Sequence, residues 1–259
     1  MKALTLVLTL LLAATQANAW SDERAITRLF DEAGVTGTFA LYDTQQKTVR
    51  GHNRERAATR YVPASTFKIA HTLIGLATGA VSDVDEQLPY DGSAVPFPEW
   101  AHDMSLREAI AVSNAAIYQQ LARRIGIERE RDYVSRLDYG NGETGDDVAH
   151  FWLRGPLQIS ALEQTEFLAR LTADALPFSA EQQRIARSIV ELERGEDWVL
   201  YGKTGWQNAP QPGVGWWVGW IDKQGDIYTF ALNIDIRSAA DAARRIELGK
   251  ASLRALGFL

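Results

Sequence analysis

The chain has 259 residues, a formal net charge of −6 at pH 7 and no cysteine. That length can bury a full core without covalent staples, and without cysteine neither a disulfide framework nor a thiol-linked lipid is available. The acidic balance argues against nucleic acid or an anionic membrane as main partner; arginine-rich stretches such as 54–60 and Arg123-Arg124 sit among mixed charges and read as solvated faces.

The opening MKALTLVLTLLLAATQANA joins a positive start to an apolar run and a small-x-small step at Ala17-Asn18-Ala19. It predicts a secretory leader over residues 1–19, removed near Trp20. The competing reading, an N-terminal membrane anchor, is disfavoured because the run is short for a span and abuts the cleavage step. Residues 20–259 are then expected to form one exported catalytic domain, free of the membrane. SDERAITRLFDEAG predicts a first helix, with Ser21 as N-cap, Asp22 and Glu23 in the first turn, an apolar stripe of Ile26, Leu29 and Phe30, and Gly34 as the stop. TGTFALYD and KTVRGHN read as two strands around the turn DTQQK.

Residues 63–195 read as a mainly helical lobe. Within it MSLREAIAVSNAAIYQQLARRIG holds at least one buried helix ending at Gly126. ISALEQTEFLARLTAD is an amphipathic helix with Ser160 as N-cap and Glu163 as its capping-box partner. WVLYGKTGW, VGWWVGWID and DIYTFALNIDI are strands rich in β-branched and aromatic residues, spaced closely enough for an antiparallel meander. RSAADAARRIELGKASLRALG closes the chain as a helix. The expectation is an α+β fold: both strand groups in one central antiparallel sheet, the terminal helices on one face, and the helical lobe beside it.

Within PASTFKIA, Ser65 and Lys68 fall on one helical face. The following IAHTLIGLATG is apolar nearly all round, which predicts a buried helix. A buried, unpartnered ammonium is costly, so Lys68 is either exposed after all or its charge is managed. Ser65 lies where the first helical turn begins, among unpaired N–H groups at the positive dipole end, a setting that favours a developing oxyanion. A lone S-x-x-K is expected by chance about once in a chain of this size, so its company decides. Lys203-Thr204-Gly205 is either a strand ending in a Thr-Gly turn or a cation and hydroxyl offered to a carboxylate, with Gly205 permitting close backbone approach. Ser113-Asn114-Ala115 is a polar break between helical stretches or a second serine motif. Tyr139-Gly140-Asn141 is a turn signal, and Trp152 in FWL carries an indole N–H that wants an acceptor if buried. His52, His71, His102 and His150 lack metal-ligand spacing, so no metal is expected; His71 shares the Lys68 helix and reads as a core residue or a neighbour of the site. Neither a G-x-S-x-G elbow nor a phosphate-binding glycine loop is present.

STFK at 65–68, the serine motif at 113–115, YGN at 139–141, FWL at 151–153, KTG at 203–205 and GWWVGW at 215–220, in this order, resemble the class D serine β-lactamases, or oxacillinases. The resemblance runs through essentially the whole chain after the leader. Class A enzymes would need S-D-N and an E-x-x-L-N loop, and neither is found. The resemblance implies the serine β-lactamase/penicillin-binding transpeptidase fold and hydrolysis of β-lactams, penicillins first, through a serine acyl-enzyme. It implies that Lys68 is N-carboxylated by CO2 drawn from bicarbonate, with no diffusible cofactor. Burial favours that chemistry because it keeps the amine neutral.

By the same resemblance Ser65 is the nucleophile, Lys68 the general base of both half-reactions, and Trp152 the donor to the carbamate. Ser113 relays a proton towards the β-lactam nitrogen. Lys203 and Thr204, with Gly205, support that relay and hold the substrate carboxylate. The backbone N–H groups of Ser65 and Trp206 form the oxyanion hole. Arg245 pairs with the carboxylate, with the adjacent Arg244 as the alternative. Ala115, Tyr139, Asn141 and Leu153 shape the site wall. Ala115 departs from the usual Ser-x-Val; losing two methyl groups beside the lysine predicts a wetter pocket, a less firmly held carbamate or an altered substrate range. Leader and family together place the protein in the periplasm. Two alternatives share the motifs: a β-lactam-sensing domain that acylates without turnover, disfavoured by the cleavable leader, and a D,D-peptidase acting on peptidoglycan, disfavoured by FWL and YGN.

Overall fold

Strands from the two ends of the chain meet in one sheet. The computed structural model describes residues 19–259, so of the expected leader only Ala19 is described. β1 (Ala19–Asp22), β2 (Gly37–Asp43), β3 (Thr48–His52), β4 (Glu191–Arg194), β5 (Trp198–Gln207), β6 (Gly213–Lys223) and β7 (Asp226–Ile236) lie in the order β1-β3-β2-β7-β6-β5-β4. β2 joins the two ends by pairing antiparallel with β7, Phe39 opposite Leu232 and Tyr42 opposite Thr229. β5, β6 and β7 form the expected meander. β6 is apolar without alternation because both its faces are covered: Trp216 and Val218 join the core of the helical lobe, Trp217 and Ile221 the core under the terminal helices. Each such buried side chain contributes about 1.5–3 kcal/mol.

The sheet is mixed, which corrects the antiparallel expectation. β1 lies parallel to β3, with Ala19 opposite Thr48. This strand absorbs Ser21 and Asp22, so the first helix is Arg24–Ala33 and Ser21 is not its cap. Glu23 takes the N-cap position, and its N–H is held by Gly51 O at 2.7 Å, which draws the helix start against β3. Gly34 ends the helix in the left-handed region, at φ 61°, as expected. β4 stands inside the segment expected to be helical. Its ELER sequence is exposed throughout and pairs only with β5.

Helices Arg24–Ala33 and Arg244–Ala255 cover one face, burying Ile26, Phe30, Leu248 and Leu253 against Phe39, Trp217 and Phe230. The closing helix is shorter than its sequence signal, because Ser238 and Asp241 cap a separate 3-10 turn over Ala239–Ala242. On the other face, helix Ala161–Thr172 packs on β7 and β2, and its Ser160–Glu163 capping box is formed. In the lobe, every residue from Lys68 to Gly75 of helix Lys68–Ala77 is buried. The segment expected to hold at least one helix holds two, Leu106–Ala111 and Ala115–Ile125, and Gly126 caps the second at φ 83°. Helix Ile127–Arg136, which the sequence reading did not assign, follows directly.

Candidate active site

Residues Ala64–Phe67 form a 3-10 turn that runs straight into helix Lys68–Ala77. The turn starts from Ala64 at φ 48°, a left-handed conformation without a glycine, which costs about 1–3 kcal/mol and is found most often at functional sites. The result is a half-buried Ser65 whose Oγ stands 2.6 Å from Lys68 Nζ. Lys68 itself is fully buried, with Nζ 4.9 Å from the centroid of the Trp152 ring and 5.4 Å from that of Tyr118. Burial holds the Lys68 amine well below the ordinary lysine range, and the charge of Lys203 lowers it further. Among the described residues no acidic side chain is paired with it. The Trp152 indole N–H is buried in the same pocket and donates to no acceptor among the described residues. An amine whose charged form is disfavoured and an unclaimed donor beside it fit a lysine carbamate.

A second serine–lysine pair faces the first. Ser113 sits in the break between helices Leu106–Ala111 and Ala115–Ile125, at φ 60°. Asn114 fixes that break: its Oδ1 accepts from Ala116 N at 2.9 Å, and its Nδ2 donates to Trp100 O at 3.2 Å. Lys203 on β5 reaches Ser113 Oγ at 3.0 Å, Thr204 O at 3.0 Å and Thr204 Oγ1 at 3.3 Å. Burial pulls its amine down to about 7, with the Arg245 charge contributing.

Lys203–Gln207 pair with β6 on one side, whereas β4 reaches only as far as Tyr201 on the other. The free edge is taken by the Ser65 turn. A Cβ at Gly205 would come within 2.8 Å of Pro63 O and 3.1 Å of Thr66 Cγ2, so only glycine lets strand and turn close to this distance. Trp216 Nε1 donates to Val62 O at 2.9 Å and Gln164 Nε2 to Thr66 Oγ1 at 2.9 Å, pinning the turn from the sheet and from the lobe. Arg245 crosses the sheet over Gly215, where a Cβ would meet its Cδ at 2.7 Å. Its Nη1 donates to Gly205 O at 2.6 Å and its Nε to Ala242 O at 2.6 Å. Burial lowers the guanidinium to about 10. Arg244 instead turns outward to Asp241, at 3.9 Å, so of the two candidates it is Arg245 that faces the site.

These groups line a cleft of about 500 Å³, where Ser65, Ser113, Thr204, Gly205 and Arg245 meet an aromatic rim. Among the described residues that line it, Arg245 is the charged one, and none is a carboxylate. The rim, Phe97 and Trp100 on one side and Trp206 on the other, includes two residues that sequence reasoning did not single out. Phe97 packs edge-on against Trp100 at 5.0 Å and is 46 % exposed; their clustering in PFPEW was the available signal. Ala115 and Leu153 line an adjoining groove of about 400 Å³ that shares Trp100, Trp206 and Asn208 with the cleft. Tyr139 and Asn141 stand behind the cleft and not on its wall, which corrects their expected placement. Tyr139 is buried edge-on against Phe67 and Phe167, and Asn141 ties its turn to Pro156 O and Gln158 N at 3.0 Å each.

The comparisons agree with this geometry. Residues 31–253 match the family described as the penicillin binding protein transpeptidase domain. The chain is 35 % identical to β-lactamase OXA-5 of Pseudomonas aeruginosa, over 98 % of this chain and 96 % of the relative. It is 36 % identical to β-lactamase OXA-2 of Salmonella typhimurium, over 90 % and 84 %. The crystal structure of the class D β-lactamase YbXI from Nostoc superposes with a TM-score of 0.88 at 42 % identity, covering 90 % of this chain and 99 % of that one. That of FUS-1 (OXA-85), a class D β-lactamase from Fusobacterium nucleatum subsp. polymorphum, gives 0.89 at 40 %, covering 92 % and 100 %. With two serine–lysine pairs closed against each other by Gly205, and with relatives matched over nearly their full length, this chain belongs to the class D β-lactamases of the penicillin-binding transpeptidase fold.

Proposed function

We propose that the protein hydrolyses β-lactam antibiotics, penicillins foremost, through an acyl-enzyme on Ser65, with Lys68 carboxylated on Nζ. The observation that carries the proposal is the fully buried Lys68 amine, 2.6 Å from Ser65 Oγ and beside the unclaimed Trp152 N–H. Carboxylation joins the neutral amine nitrogen to the carbon of CO2 and releases one proton to solvent. Trp152 Nε1 would hold the product, and carboxylated Lys68 supplies the general base for both half-reactions.

The remaining roles fall to groups around the cleft. The Ser65 oxygen adds to the lactam carbonyl carbon as Oγ loses its proton. The backbone N–H groups of Ser65 and Trp206, brought close by the Gly205 contact, stabilise the oxyanion. The ring C–N bond then breaks, and the nitrogen takes a proton from Ser113 Oγ; the proton that left Ser65 would replace it, passed on through Lys203 Nζ, which stands 3.0 Å from Ser113 Oγ. Water next adds to the ester carbon, the bond to Ser65 Oγ breaks, and Oγ regains its proton. Arg245 and Thr204 would hold the substrate carboxylate, which suits a cleft lined by a cation and no acid. Ala115 and Leu153 in the adjoining groove give solvent a wider approach than valine at 115 would. Residues 1–19 carry the composition of a secretory leader, and the reading places the enzyme in the periplasm.

Intact-mass measurement during penicillin turnover tests the serine assignment. A transient adduct of one penicillin is expected on the wild type and none on Ser65→Ala. An adduct of the same mass on Ser65→Ala would overturn it. An adduct on the wild type that never turns over, even with bicarbonate present, would favour the sensing alternative.

A further inference from the structure

Directly behind the Lys68 pocket is a buried histidine–carboxyl contact that the proposed reaction does not use. His71 Nε2 and Glu130 Oε1 stand 3.0 Å apart, and both side chains are 0 % exposed. Apart from this mutual contact, none of the four polar side-chain atoms of the pair has a partner. A buried pair satisfied this poorly is a weak source of stability, and well-packed apolar residues often serve as well or better. Its location points to another use. His71 lies one helical turn beyond Lys68, and its ring meets the Trp152 ring at 5.1 Å and 85°. It also meets Phe67 at 4.5 Å and Phe151 at 5.9 Å, both near-perpendicular, and lies stacked at 6.2 Å from Tyr118. Trp152 has no hydrogen bond of its own, so packing alone orients its indole. In that aromatic packing Tyr118 is tied to Thr72 of the Lys68 helix itself, at 2.9 Å, whereas the polar contact of His71 comes from Glu130 on a different helix, Ile127–Arg136.

We propose that Glu130 and His71 are positioning residues for the Lys68 site: the Glu130 contact fixes the His71 ring edge-on to Trp152 and thereby aims the indole N–H at the modified lysine. Neither residue touches the reacting atoms. The inference rests on carboxylation of Lys68 and adds the reason that Trp152, unbonded in the protein, stays aimed. It also gives a function to Glu130, an acid buried on an otherwise charged and exposed helix.

The test follows the 13C carbamate resonance of protein equilibrated with 13C-bicarbonate, beside the bicarbonate concentration for half-maximal penicillin turnover and the melting temperature. Glu130→Met, which removes the anchor, is expected to raise the half-saturating bicarbonate about 10-fold or more, the usual cost of losing a group that orients a ligating residue, and to shrink the carbamate signal at low bicarbonate. Glu130→Gln, which keeps the side chain's shape and a polar oxygen or nitrogen facing His71 Nε2, is expected to stay near the wild type. The double variant His71→Phe with Glu130→Met removes both buried polar groups together, so it folds where the single variant fails, and it should share the bicarbonate defect. Wild-type carbamate occupancy in the double variant, or in a folded Glu130→Met, would overturn the proposal; so would a lowered melting temperature with unchanged bicarbonate demand. No carbamate resonance in the wild type itself would remove the carboxylation reading and this inference with it, an outcome distinct from failure of the positioning role alone.

Discussion

Burial does opposite service at the two lysines of the site. For Lys68 it disfavours the ammonium and so favours the form that reacts with CO2; for Lys203 it yields an ammonium that loses its charge near neutrality, at about 7. In bicarbonate-free protein, penicillin binding should therefore weaken as the pH rises through about 7, because Lys203 sheds the charge that complements the carboxylate; binding constants across that range check it. The bicarbonate needed for full activity should rise as the pH falls, because protonated Lys68 cannot attack CO2. Linkage gives the corresponding sign for stability. Unfolded Lys68 keeps its proton up to about 10.4, the folded residue releases it at lower pH, so its burial penalty applies at neutrality and is lost as the pH rises. Lys68→Met should thus lower turnover by about 10²–10⁴-fold while raising the melting temperature in bicarbonate-free buffer. Trp152→Phe keeps the ring and deletes the N–H; acylation should survive better than deacylation, so that mass spectra show an accumulating adduct. Unchanged turnover with no adduct would contradict the Trp152 role. The motifs that hold these residues were legible in the sequence through their order along the chain, and their roles came with the resemblance those motifs carry. Arg245 was ambiguous with Arg244, since choosing between neighbours requires knowing which side of the final helix faces the sheet.

The close approach of β5 to the Ser65 turn is what joins the two serine–lysine pairs. Gly205→Ala places a methyl group 2.8 Å from Pro63 O, and backbone on both sides cannot yield as a flexible side chain would. We expect the cleft to open there, with kcat/KM for benzylpenicillin falling at least about 10-fold, the effect of a 1.4 kcal/mol misfit, while the fold persists by circular dichroism. Wild-type kinetics would contradict this role for the contact. Strands with strong β composition could be read directly, and so could the helix that the Ser160–Glu163 capping box opens; helix Ala180–Ser188, with its own Ser179–Gln182 box, was not assigned. Other elements escaped for physical reasons. β1 and β4 lie at the edges of the sheet and take their conformation from a neighbouring strand. Helix Ile127–Arg136 is mostly charged and buries only Glu130 and Val134, which leaves no apolar stripe to detect.

A chain of net charge −6 surrounds a cleft that Arg245 lines as a cation, with the Lys203 amine held against Ser113 beside it. For an anionic substrate the local cation opposes the overall repulsion, and the two respond differently to salt. Long-range repulsion is screened beyond about 10 Å at 0.1 M ionic strength, whereas contact with a buried guanidinium is screened far less. Moderate salt should therefore leave kcat/KM for benzylpenicillin unchanged or slightly raised; a steep fall would mean that steering, and not the local Arg245 contact, dominates. The architecture also ties the site to both chain ends, since β2 closes the sheet against β7 and Arg245 belongs to the last helix. That closure was legible because strand-rich segments flank a helical middle. The positions of the rim loops were not, since aromatic residues such as Phe97 and Trp100 are placed by tertiary contacts across the cleft.

Benzylpenicillin turnover, followed in the ultraviolet on protein stripped of bicarbonate and then resupplied, tests the central claim most directly. Turnover that falls on stripping and returns on addition is the predicted result. Full turnover in rigorously CO2-free buffer, unaltered by added bicarbonate, would contradict a carboxylated Lys68 as the general base.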